Sequence, residues 1–336
     1  MTDRVLNKKN PMVSAIIPVF QEEKYIEQFL NSLLNQTFNS EKIEYIFVDG
    51  LSKDLTREHI QNFIDSNTEM NIQLLDNKYQ YQVNALNIGI KSSKGEIIIR
   101  LDVHSNFPEN YIQLCVETLL ETGADNVGGL AITKGTNKFS FTAAKLLSSK
   151  FGVGNSGFRT FAKSGFVETV PFGTYHKELF QKIGLFDERL IRNEDNEFNY
   201  RIIKNGGKIY LNNEIKFEYF CRDSYTSLMK MAFQNGMWNI ITFHLIKGSM
   251  KIRHFIPFLF FLYIFLGLAL IIFCSKLFFP WSILIIVYLF INFFVSAKLS
   301  GSFIEFLHLL YLFPSFHLGY GMGSFVGLLR ILFRNY

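Results

Sequence analysis

A short apolar run that ends in an acid and an imidazole constrains the fold of this chain more than any other stretch. Residues 97–101 are apolar except for Arg100, which predicts a buried strand. Asp102 and His104 follow where that strand should end, and the alternation of an extended chain points both side chains to the same side. Two such side chains at a strand's carboxyl end can hold a divalent cation against a nucleotide diphosphate. The alternative is a solvated Asp beside an unrelated His.

Strand and helix patterns alternate through the first hundred residues. The predicted strands are the apolar runs Val13–Phe20, Ile43–Val48, Ile72–Leu75 and Ile97–Leu101. Three helices are predicted between them. The first begins after Gln21, the second runs from a cap at Ser52 or Asp54 to about Ile64, and the third covers Val83–Ser92. This alternation predicts right-handed crossovers and a doubly wound, mostly parallel sheet in an α/β fold.

Acidic side chains follow three of these four predicted strands. They are Glu22, Asp49, Asp54 and Asp102. Ligands of doubly wound sheets bind at the carboxyl ends of the strands, so this coincidence predicts a nucleotide site. For Asp49 and Asp54 the alternative is helix capping.

Composition argues against several other classes of function. The net charge of 34 − 29 = +5 is mild, and no basic stripe is interleaved with aromatic residues, so no nucleic-acid partner is expected. The three cysteines, Cys115, Cys221 and Cys274, have neither CxxC nor CxxH spacing. A zinc site and a disulfide framework are therefore not expected, and a reducing compartment fits the soluble part better.

The residues after 254 are rich in Phe, Leu and Ile. Residues 255–279 and 281–297 are long and apolar enough to predict two membrane spans. Residues 303–333 form a weaker third region, interrupted by Pro314 and several glycines. This third region could form a kinked span, a re-entrant pair or an interfacial helix. The alternative for the whole tail is the buried helical core of a soluble protein.

The polar amino-terminal segment and the basic residues before the first predicted span predict the topology of the chain. Residues 1–11 are polar and contain no apolar segment, so no signal peptide is expected. Basic side chains just before the first predicted span place the preceding domain in the cytoplasm and the chain in the cell membrane as a multi-pass protein. They are Lys247, Lys251, Arg253 and His254. The predicted divisions are a polar segment (1–11), an α/β domain (12–226), an amphipathic interface helix (227–254) and a membrane region of two to three spans (255–336).

The middle of the chain is less regular. Residues 133–164 show no clear period, and the glycine-rich stretch 151–158 within them is interpreted as a mobile loop or substrate lid. A helix is predicted to start at Asp195, followed by two late strands at residues 209–211 and 215–220.

Taken together, the motifs resemble those of the family 2 glycosyltransferases. In chain order they are Ile17–Phe20 with Glu22, Val48–Gly50 with Ser52 and Asp54, Asn87–Gly89, Gly95 with Glu96, Leu101–His104 and Asn193–Asp195. Within the family, Asp-x-His in place of Asp-x-Asp and the glycine-rich apolar tail are similar to the membrane-associated enzymes of succinoglycan-type exopolysaccharide assembly. The resemblance implies a GT-A nucleotide-diphospho-sugar transferase domain with carboxyl-terminal transmembrane helices.

The resemblance also implies a role for each matching residue. The residues expected to bind the nucleotide-sugar are Pro18, Phe20, Glu22, Asp49, Asp54, Asn87, Arg100 and Arg222. Among them, Asp49 would accept a hydrogen bond from uracil, and Arg222 would contact the diphosphate unless it is an ordinary surface residue. Asp102 and His104 would be the metal motif, for Mg²⁺ or Mn²⁺ bound to the diphosphate. Asp195 beside Glu194 would be the catalytic base, with an ordinary acidic helix start as the alternative.

Two departures from the family pattern bear on function. His104 is a softer ligand than the usual carboxylate, so metal binding through neutral imidazole and a contact to the donor sugar are both open. Residues 234–238 resemble the Gln-x-x-Arg-Trp signature of processive polysaccharide synthases. Met237 stands where Arg is expected, which argues against processive synthesis.

The resemblance implies an inverting hexosyltransferase of cell-surface polysaccharide biosynthesis. It would move glucose or another hexose from a UDP-sugar to a lipid-linked acceptor, such as a saccharide on polyprenyl diphosphate, alongside other polysaccharide-assembly proteins. Two alternatives stay open. One is a polyprenyl-phosphate sugar synthase, in which a phosphate is the nucleophile. The other is a membrane scaffold that binds a nucleotide without catalysis.

Overall fold

The computed structural model describes residues 11–160 and 162–334. By their internal contacts these residues divide into two compact units. The first unit comprises residues 11–132 and 162–219, and the second comprises residues 133–160 and 220–334. Residues 1–10, which carry most of the predicted polar segment, lie outside the described residues. The predicted divisions after residues 11, 226 and 254 stay predictions.

Nine strands of the described chain form one mixed sheet. In chain order they are β1 (Val13–Val19), β2 (Ile43–Asp49), β3 (Asn71–Asp76), β4 (Ile97–Arg100), β5 (Ser105–Asn106), β6 (Asn126–Lys134), β7 (Gly165–Val167), β8 (Thr174–His176) and β9 (Ile209–Phe220). Their order across the sheet is β3-β2-β1-β4-β8-β6-β9-β5, and β7 also pairs with β9. The first four run parallel, whereas β8 is antiparallel to β4 and β6, and β9 is antiparallel to β5 and β7.

Helices connect these strands and make up most of the second unit. In chain order they are α1 (Glu23–Leu34), α2 (Thr56–Ser66), α3 (Gln82–Ser92), α4 (Tyr111–Thr122), α5 (Lys138–Leu147), α6 (Lys150–Val153), α7 (Lys177–Ile183), α8 (Glu194–Lys204), α9 (Tyr225–Leu245), α10 (Ile256–Phe273), α11 (Phe278–Leu299) and α12 (Phe303–Leu332). The predicted alternation of strands and helices as far as β4 is confirmed, with ends that differ by one or two residues.

The parallel half of the sheet places the predicted acids side by side. β1 lies between β2 and β4, with Val13 opposite both Ile43 and Ile97. At the other end of the register Val19 lies opposite Asp49. β1 and β2 are buried almost throughout, because central strands of a parallel sheet have no solvent face. The chain segments that follow β1, β2 and β4 therefore leave the sheet at one edge.

Residues 133–164, which show no clear period in the sequence, contain the two helices α5 and α6. The interpretation of residues 151–158 as a mobile loop or substrate lid stays a prediction, although residues 151–153 belong to α6. The helix α5 begins after Asn137, whose side chain accepts a hydrogen bond from the backbone N–H of Ser140 at 2.8 Å. Buried residues of α5, such as Leu146, share one apolar cluster with Leu312 and Phe313 of α12. A short helix whose packing partner lies at the far end of the chain gives little periodic signal of its own.

The two predicted late strands are one continuous strand, β9. The polar residues Asn212 and Asn213 interrupt the apolar pattern but not the strand. The Asn213 N–H donates to Ser164 Oγ at 2.9 Å, and the Asn212 amide donates to Thr118 Oγ1 at 2.9 Å. Polar partners, which an apolar pattern does not reveal, therefore hold this part of the strand.

Two helices of the second unit are long and apolar enough to cross a membrane. With the short 3-10 turns before them they cover Ile252–Phe273 and Ser275–Leu299, with mean hydropathies of 2.8 and 2.2. Their most apolar windows are 0% and 6% buried, so the alternative of a buried helical core does not describe them. The first helix ends earlier than the predicted span at residue 279, because Cys274 is extended. No other helix of residues 11–160 and 162–334 meets the same requirement.

The third predicted membrane region is a single helix, α12, which contains Pro314. It packs so closely against α9 that no side chain fits at the glycines where the two backbones meet. A Cβ on Gly236 of α9 would lie 1.9 Å from the backbone oxygen of Tyr320, and one on Gly323 of α12 would lie 1.9 Å from that of Phe233. Glycines that weaken the helical pattern in the sequence, such as Gly323 and Gly327, thus lie where α12 contacts α9.

A buried carboxylate fastens the parallel half of the sheet. Glu44 of β2 is 0% exposed, and its Oε1 accepts hydrogen bonds from Ser14 Oγ and from the backbone N–H of Lys94, both at 2.5 Å. Its Oε2 accepts from Gln73 Nε2 at 3.2 Å. One side chain therefore links β1, β2, β3 and the turn that enters β4.

Glu44→Ala is expected to destabilise the chain by about 3 kcal/mol, because it leaves buried donors without acceptors. Thermal unfolding in detergent measures the effect as a lower Tm. The matched control is Glu69→Ala, which removes an exposed carboxylate and should leave Tm unchanged. Equal Tm values for the two variants would contradict the assignment of Glu44 as a fastening residue.

Candidate active site

Hydrogen bonds join the loops that follow β1 and β2. The backbone N–H of Gln21 donates to Ser52 Oγ at 2.9 Å, and that of Glu22 donates to Thr56 Oγ1 at 2.7 Å. Gln21 and Leu51 adopt φ values of 56° and 60°, in the left-handed region that costs energy for residues with a side chain. Such strain persists where the surrounding structure enforces it, often at functional sites.

Asp49, the last residue of β2, is fully buried beneath these loops. Its carboxylate accepts hydrogen bonds from Ser52 Oγ at 2.6 Å and from Arg57 Nη1 at 3.0 Å. Arg57 Nη1 also donates to Asp76 Oδ1 at 2.8 Å, and the hydrogen bonds to Asp76 and Asp49 raise the pKa of Arg57. Asp49 is thus already engaged, and its hydrogen bond from uracil stays a prediction. Sequence reasoning missed Arg57, which resembles any surface residue in the first turn of a helix.

Asp54 supports the start of α2 but is not its N-cap residue. The N-cap position is held by Leu55, so the predicted cap at Ser52 or Asp54 is wrong. Asp54 Oδ1 accepts a hydrogen bond from the backbone N–H of Thr56 at 3.2 Å, and Oδ2 accepts from that of Glu23 at 3.3 Å. Slight burial raises the pKa of Asp54, but the hydrogen bond with the Thr56 side chain, together with these backbone hydrogen bonds, outweighs it and lowers the pKa overall.

Phe20 and Pro18 border the same edge of the sheet. The Phe20 side chain is 38% exposed, and its ring covers Gly50, where a Cβ would lie 2.7 Å from Phe20 Cδ2. Pro18 lies within β1, opposite Val48. Their predicted contacts with the nucleotide stay predictions.

Asp102 and His104 lie together, but a turn and not an extended strand joins them. β4 ends at Arg100, and the backbone N–H of His104 donates to Asp102 Oδ1 at 3.0 Å. His104 Nε2 lies 3.1 Å from Glu22 Oε1, and its ring contacts that of Tyr25 with centroids 4.7 Å apart. These contacts tie the imidazole to the loop after β1, and the roles predicted for Asp102 and His104 stay predictions.

The donor set at the strand end fits a divalent cation through Asp102. Gln82 Nε2 donates to Asp102 Oδ2 at 3.3 Å, so both carboxylate oxygens are oriented. Magnesium in such sites is commonly held by one or two carboxylates, and phosphate oxygens and water complete its shell. His104 fits less well, because its Nε2 already faces Glu22. In the part of the chain that the structure describes, no three His, Cys, Asp or Glu side chains are grouped as metal ligands.

Glu194 and Asp195 begin α8, one residue earlier than predicted, after Asn193 at a φ of 64°. Arg100 Nη1 donates to Glu194 Oε1 at 3.0 Å, and both residues are buried. Burial raises the pKa of Glu194, although the charge of Arg100 opposes this. Asp195 is only partly buried. Asp195 is thus the more exposed member of the acidic pair, and its role as the base stays a prediction.

The structure does not bring Asn87 into this group of side chains. The Asn87 amide donates to Phe186 O and to Glu188 Oε1, both at 2.9 Å, and its oxygen accepts from the Phe186 N–H. It therefore fastens the segment before α8 to α3. Arg222 belongs to the second unit. The roles predicted for both residues stay predictions.

Solved structures share this fold. The mannosyltransferase PcManGT from Pyrobaculum calidifontis superimposes with a TM-score of 0.60 over 99% of this chain and 93% of its own, at 16% identity. The S. aureus protein TarS, as residues 1–349, gives a TM-score of 0.51 over 73% and 72%, at 20% identity. The fold is therefore the GT-A fold expected from the motifs, with two apolar helices added near the carboxyl terminus.

Sequence comparison identifies the family. The model of glycosyl transferase family 2 matches residues 14–184. A Methanococcus voltae dolichyl N-acetyl-alpha-D-glucosaminyl phosphate 3-beta-D-2,3-diacetamido-2,3-dideoxy-beta-D-glucuronosyltransferase is 32% identical over 73% of this chain and 78% of its own. The succinoglycan biosynthesis protein ExoA of Rhizobium meliloti is 28% identical over 72% and 73%. The chain belongs to glycosyl transferase family 2 and is a glycosyltransferase, which confirms the resemblance seen in its motifs.

Proposed function

We propose that this enzyme transfers a hexose or hexose derivative from a nucleoside-diphosphate sugar, with inversion, to a saccharide carried on a membrane lipid. The observation that carries the proposal is the grouping of Glu22, Asp102, His104 and Asp195 around the carboxyl end of β4, in a chain that also has two exposed apolar helices. The four side chains include a cation ligand and a base, and the two helices would anchor the chain in the membrane.

The names of the relatives support a lipid-linked acceptor. The Methanococcus voltae relative is named for transfer to a dolichyl-linked N-acetylglucosaminyl phosphate, and ExoA for succinoglycan biosynthesis. A saccharide acceptor supplies a hydroxyl as nucleophile, which favours this proposal over a polyprenyl-phosphate sugar synthase. The first relative is also named for a β-linked product. A β linkage made from an α-linked nucleotide-sugar requires inversion at the anomeric carbon.

A uridine nucleotide is the proposed donor carrier. TarS has been solved with UDP-GlcNAc, and PcManGT with GDP-Man and Mn²⁺. The exposed ring of Phe20 offers a stacking surface for a base next to the buried Asp49. Because the neighbours differ in their nucleotide, GDP-mannose belongs in any donor panel.

Inverting transfer requires a base, an in-line donor and a stabilised leaving group. Asp195 is the proposed base, which takes the proton from the acceptor hydroxyl as that oxygen attacks the anomeric carbon. Asp102 is the proposed ligand of Mg²⁺ or Mn²⁺, and such a cation, when bound, offsets charge on the leaving diphosphate. Glu22 and Tyr25 hold His104 beside Asp102.

The apolar helices would keep the enzyme where its acceptor is. A polyprenyl chain leaves a bilayer only at a cost of about 0.8 kcal/mol for each buried CH₂ group, so a soluble enzyme would rarely meet it. We therefore place the chain in the cell membrane as a multi-pass protein, with α10 and α11 as the spans. Its catalytic unit would face the cytoplasm, as the basic residues before α10 favour.

The test is release of nucleoside diphosphate by the detergent-solubilised full chain. UDP-glucose, UDP-GlcNAc, UDP-glucuronic acid and GDP-mannose are each offered with Mn²⁺ or EDTA. The acceptors are polyprenyl-diphosphate-linked GlcNAc and bare polyprenyl phosphate. Metal-dependent turnover of one donor on the saccharide lipid is expected. Turnover only on the bare phosphate would indicate the synthase, and binding without turnover on either acceptor would indicate the scaffold.

A further inference from the structure

The buried ion pair between Arg100 and Glu194 joins the two parts of the proposed chemistry. Arg100 is the last residue of β4, two residues before Asp102, and Glu194 is the first residue of α8, directly before Asp195. Arg100 Nη1 lies 3.0 Å from Glu194 Oε1, and the two side chains are only 8% and 6% exposed. The pair therefore ties the strand that leads to the expected cation ligand to the helix that begins at the expected base.

The surroundings of Arg100 hold its guanidinium in place. Its backbone N–H donates to Gly173 O at 3.1 Å, and its Cζ lies 5.6 Å from the ring centroid of Phe172, a residue with a φ of 47°. Its Nε is buried and has no hydrogen-bond partner among the described residues. Replacing a buried ion pair by apolar residues of similar size is often neutral or stabilising, so stability alone does not account for this pair.

Arg100 is the cation that faces the acidic start of α8. Glu194 accepts its hydrogen bond at 3.0 Å, and Asp195 follows Glu194 directly in the chain. Without the guanidinium, the adjacent carboxylates of Glu194 and Asp195 would repel each other in a poorly hydrated site. Arg100 is therefore the positive charge that allows the acidic helix start to lie at the end of β4.

We infer that Arg100 is a positioning residue, which holds the carboxylate of Asp195 in place through Glu194 and does not bind the nucleotide-sugar. This inference rests on the proposed function and deepens it. It also replaces the role predicted for Arg100 from the sequence, that of a nucleotide-sugar ligand.

Arg100→Met is expected to lower kcat about 100-fold, the cost of a base displaced by roughly 1 Å, without changing the affinity for UDP in Mn²⁺. Arg100→Lys, which keeps the charge, should recover part of kcat. Since Arg100→Met leaves Glu194 buried and unpaired, the double variant Arg100→Met/Glu194→Met is also measured. It should regain the wild-type Tm but not the wild-type kcat. Calorimetric titration with UDP and thermal unfolding complete the set.

The same helix offers a matched control. Arg201 pairs with Glu197 in α8, with Arg201 Nε 2.6 Å from Glu197 Oε1, and Glu197 is 2% exposed. Arg201→Met should lower Tm and leave kcat within about twofold, because this pair lies further along α8 than Asp195. Equal losses of kcat in Arg100→Met and Arg201→Met would overturn the inference.

Two further outcomes would also overturn it. A loss of UDP affinity in Arg100→Met would restore the predicted nucleotide-sugar role, and recovery of kcat together with Tm in the double variant would make the pair purely structural. Amide hydrogen exchange of residues 194–198 needs no substrate, and it should be faster in the double variant than in the wild type. If no donor turns over, the proposed function fails, and unchanged exchange would separately refute the positioning role.

Discussion

Asp195→Asn is expected to lower kcat by roughly 10²–10⁴-fold, the range that general acid–base catalysis contributes. Asn has nearly the same shape as Asp but does not take up a proton at neutral pH. Asp195 is only partly buried at the start of α8, so the substitution should leave Tm and the affinity for UDP unchanged. Steady-state kinetics with the donor from the panel, together with calorimetric titration of UDP, measure both quantities.

The matched control for the base is Asp187→Asn. Asp187 lies before α8, and its Oδ2 pairs with Arg189 Nη2 at 2.6 Å. Asp187→Asn should change kcat by no more than about twofold, because Asp187 pairs with Arg189 and not with a group of the proposed chemistry. A wild-type kcat in Asp195→Asn would mean that another group takes the acceptor proton.

Asp102→Ala is expected to abolish the response to Mn²⁺ and to lower kcat/KM by about 10³-fold, because a cation on the leaving diphosphate supplies several kcal/mol. His104→Ala should cost less, about 10-fold, and should keep the response to Mn²⁺, as a residue that supports the site without ligating the metal. The difference follows from the position of His104 Nε2, 3.1 Å from Glu22. Titration of Mn²⁺ in both variants, followed by paramagnetic resonance with UDP present, separates them.

Asp65→Asn serves as the control for the cation ligand. Asp65 lies on the exposed side of α2 and accepts a hydrogen bond from Gln61 at 2.9 Å. Both activity and the response to Mn²⁺ should be unchanged. If His104→Ala loses Mn²⁺ binding as completely as Asp102→Ala, the imidazole is a ligand after all, and the contact with Glu22 must break when the metal binds.

The parallel half of the sheet was predictable because each of its strands contains a run of mostly apolar residues. The antiparallel half was predictable only in part, as two pieces of β9, and β6 shows why. It contains Gly128 and Gly129, which disfavour strands in isolation. A Cβ at Gly129 would lie only 2.1 Å from the backbone oxygen of Ile215, so the glycine is required by a neighbour that is distant in sequence. Local patterns do not record such close approaches.

The candidate site also contains some residues that could be predicted from the sequence and others that could not. Asp102 and His104 could be found from the sequence, because their spacing and their place after a buried strand are local features. The pair of Arg100 and Glu194 could not, because its members are 94 residues apart and each resembles an ordinary charged residue. Arg57 escaped notice for the same reason. Tertiary pairing of charges is invisible to periodicity, and here it supplies the contacts around the expected base.

The close contact between α9 and α12 has a practical consequence for producing this enzyme in soluble form. Cutting the gene after residue 254, just ahead of the apolar helices, would also discard α12. The groove around Gly236 of α9 would then expose backbone and apolar side chains to water. A water-soluble version would instead have to excise only residues 256–299 and reconnect the chain, so that α12 stays against α9. The last helix should accordingly be treated as part of the folded body of the protein and not as a dispensable anchor.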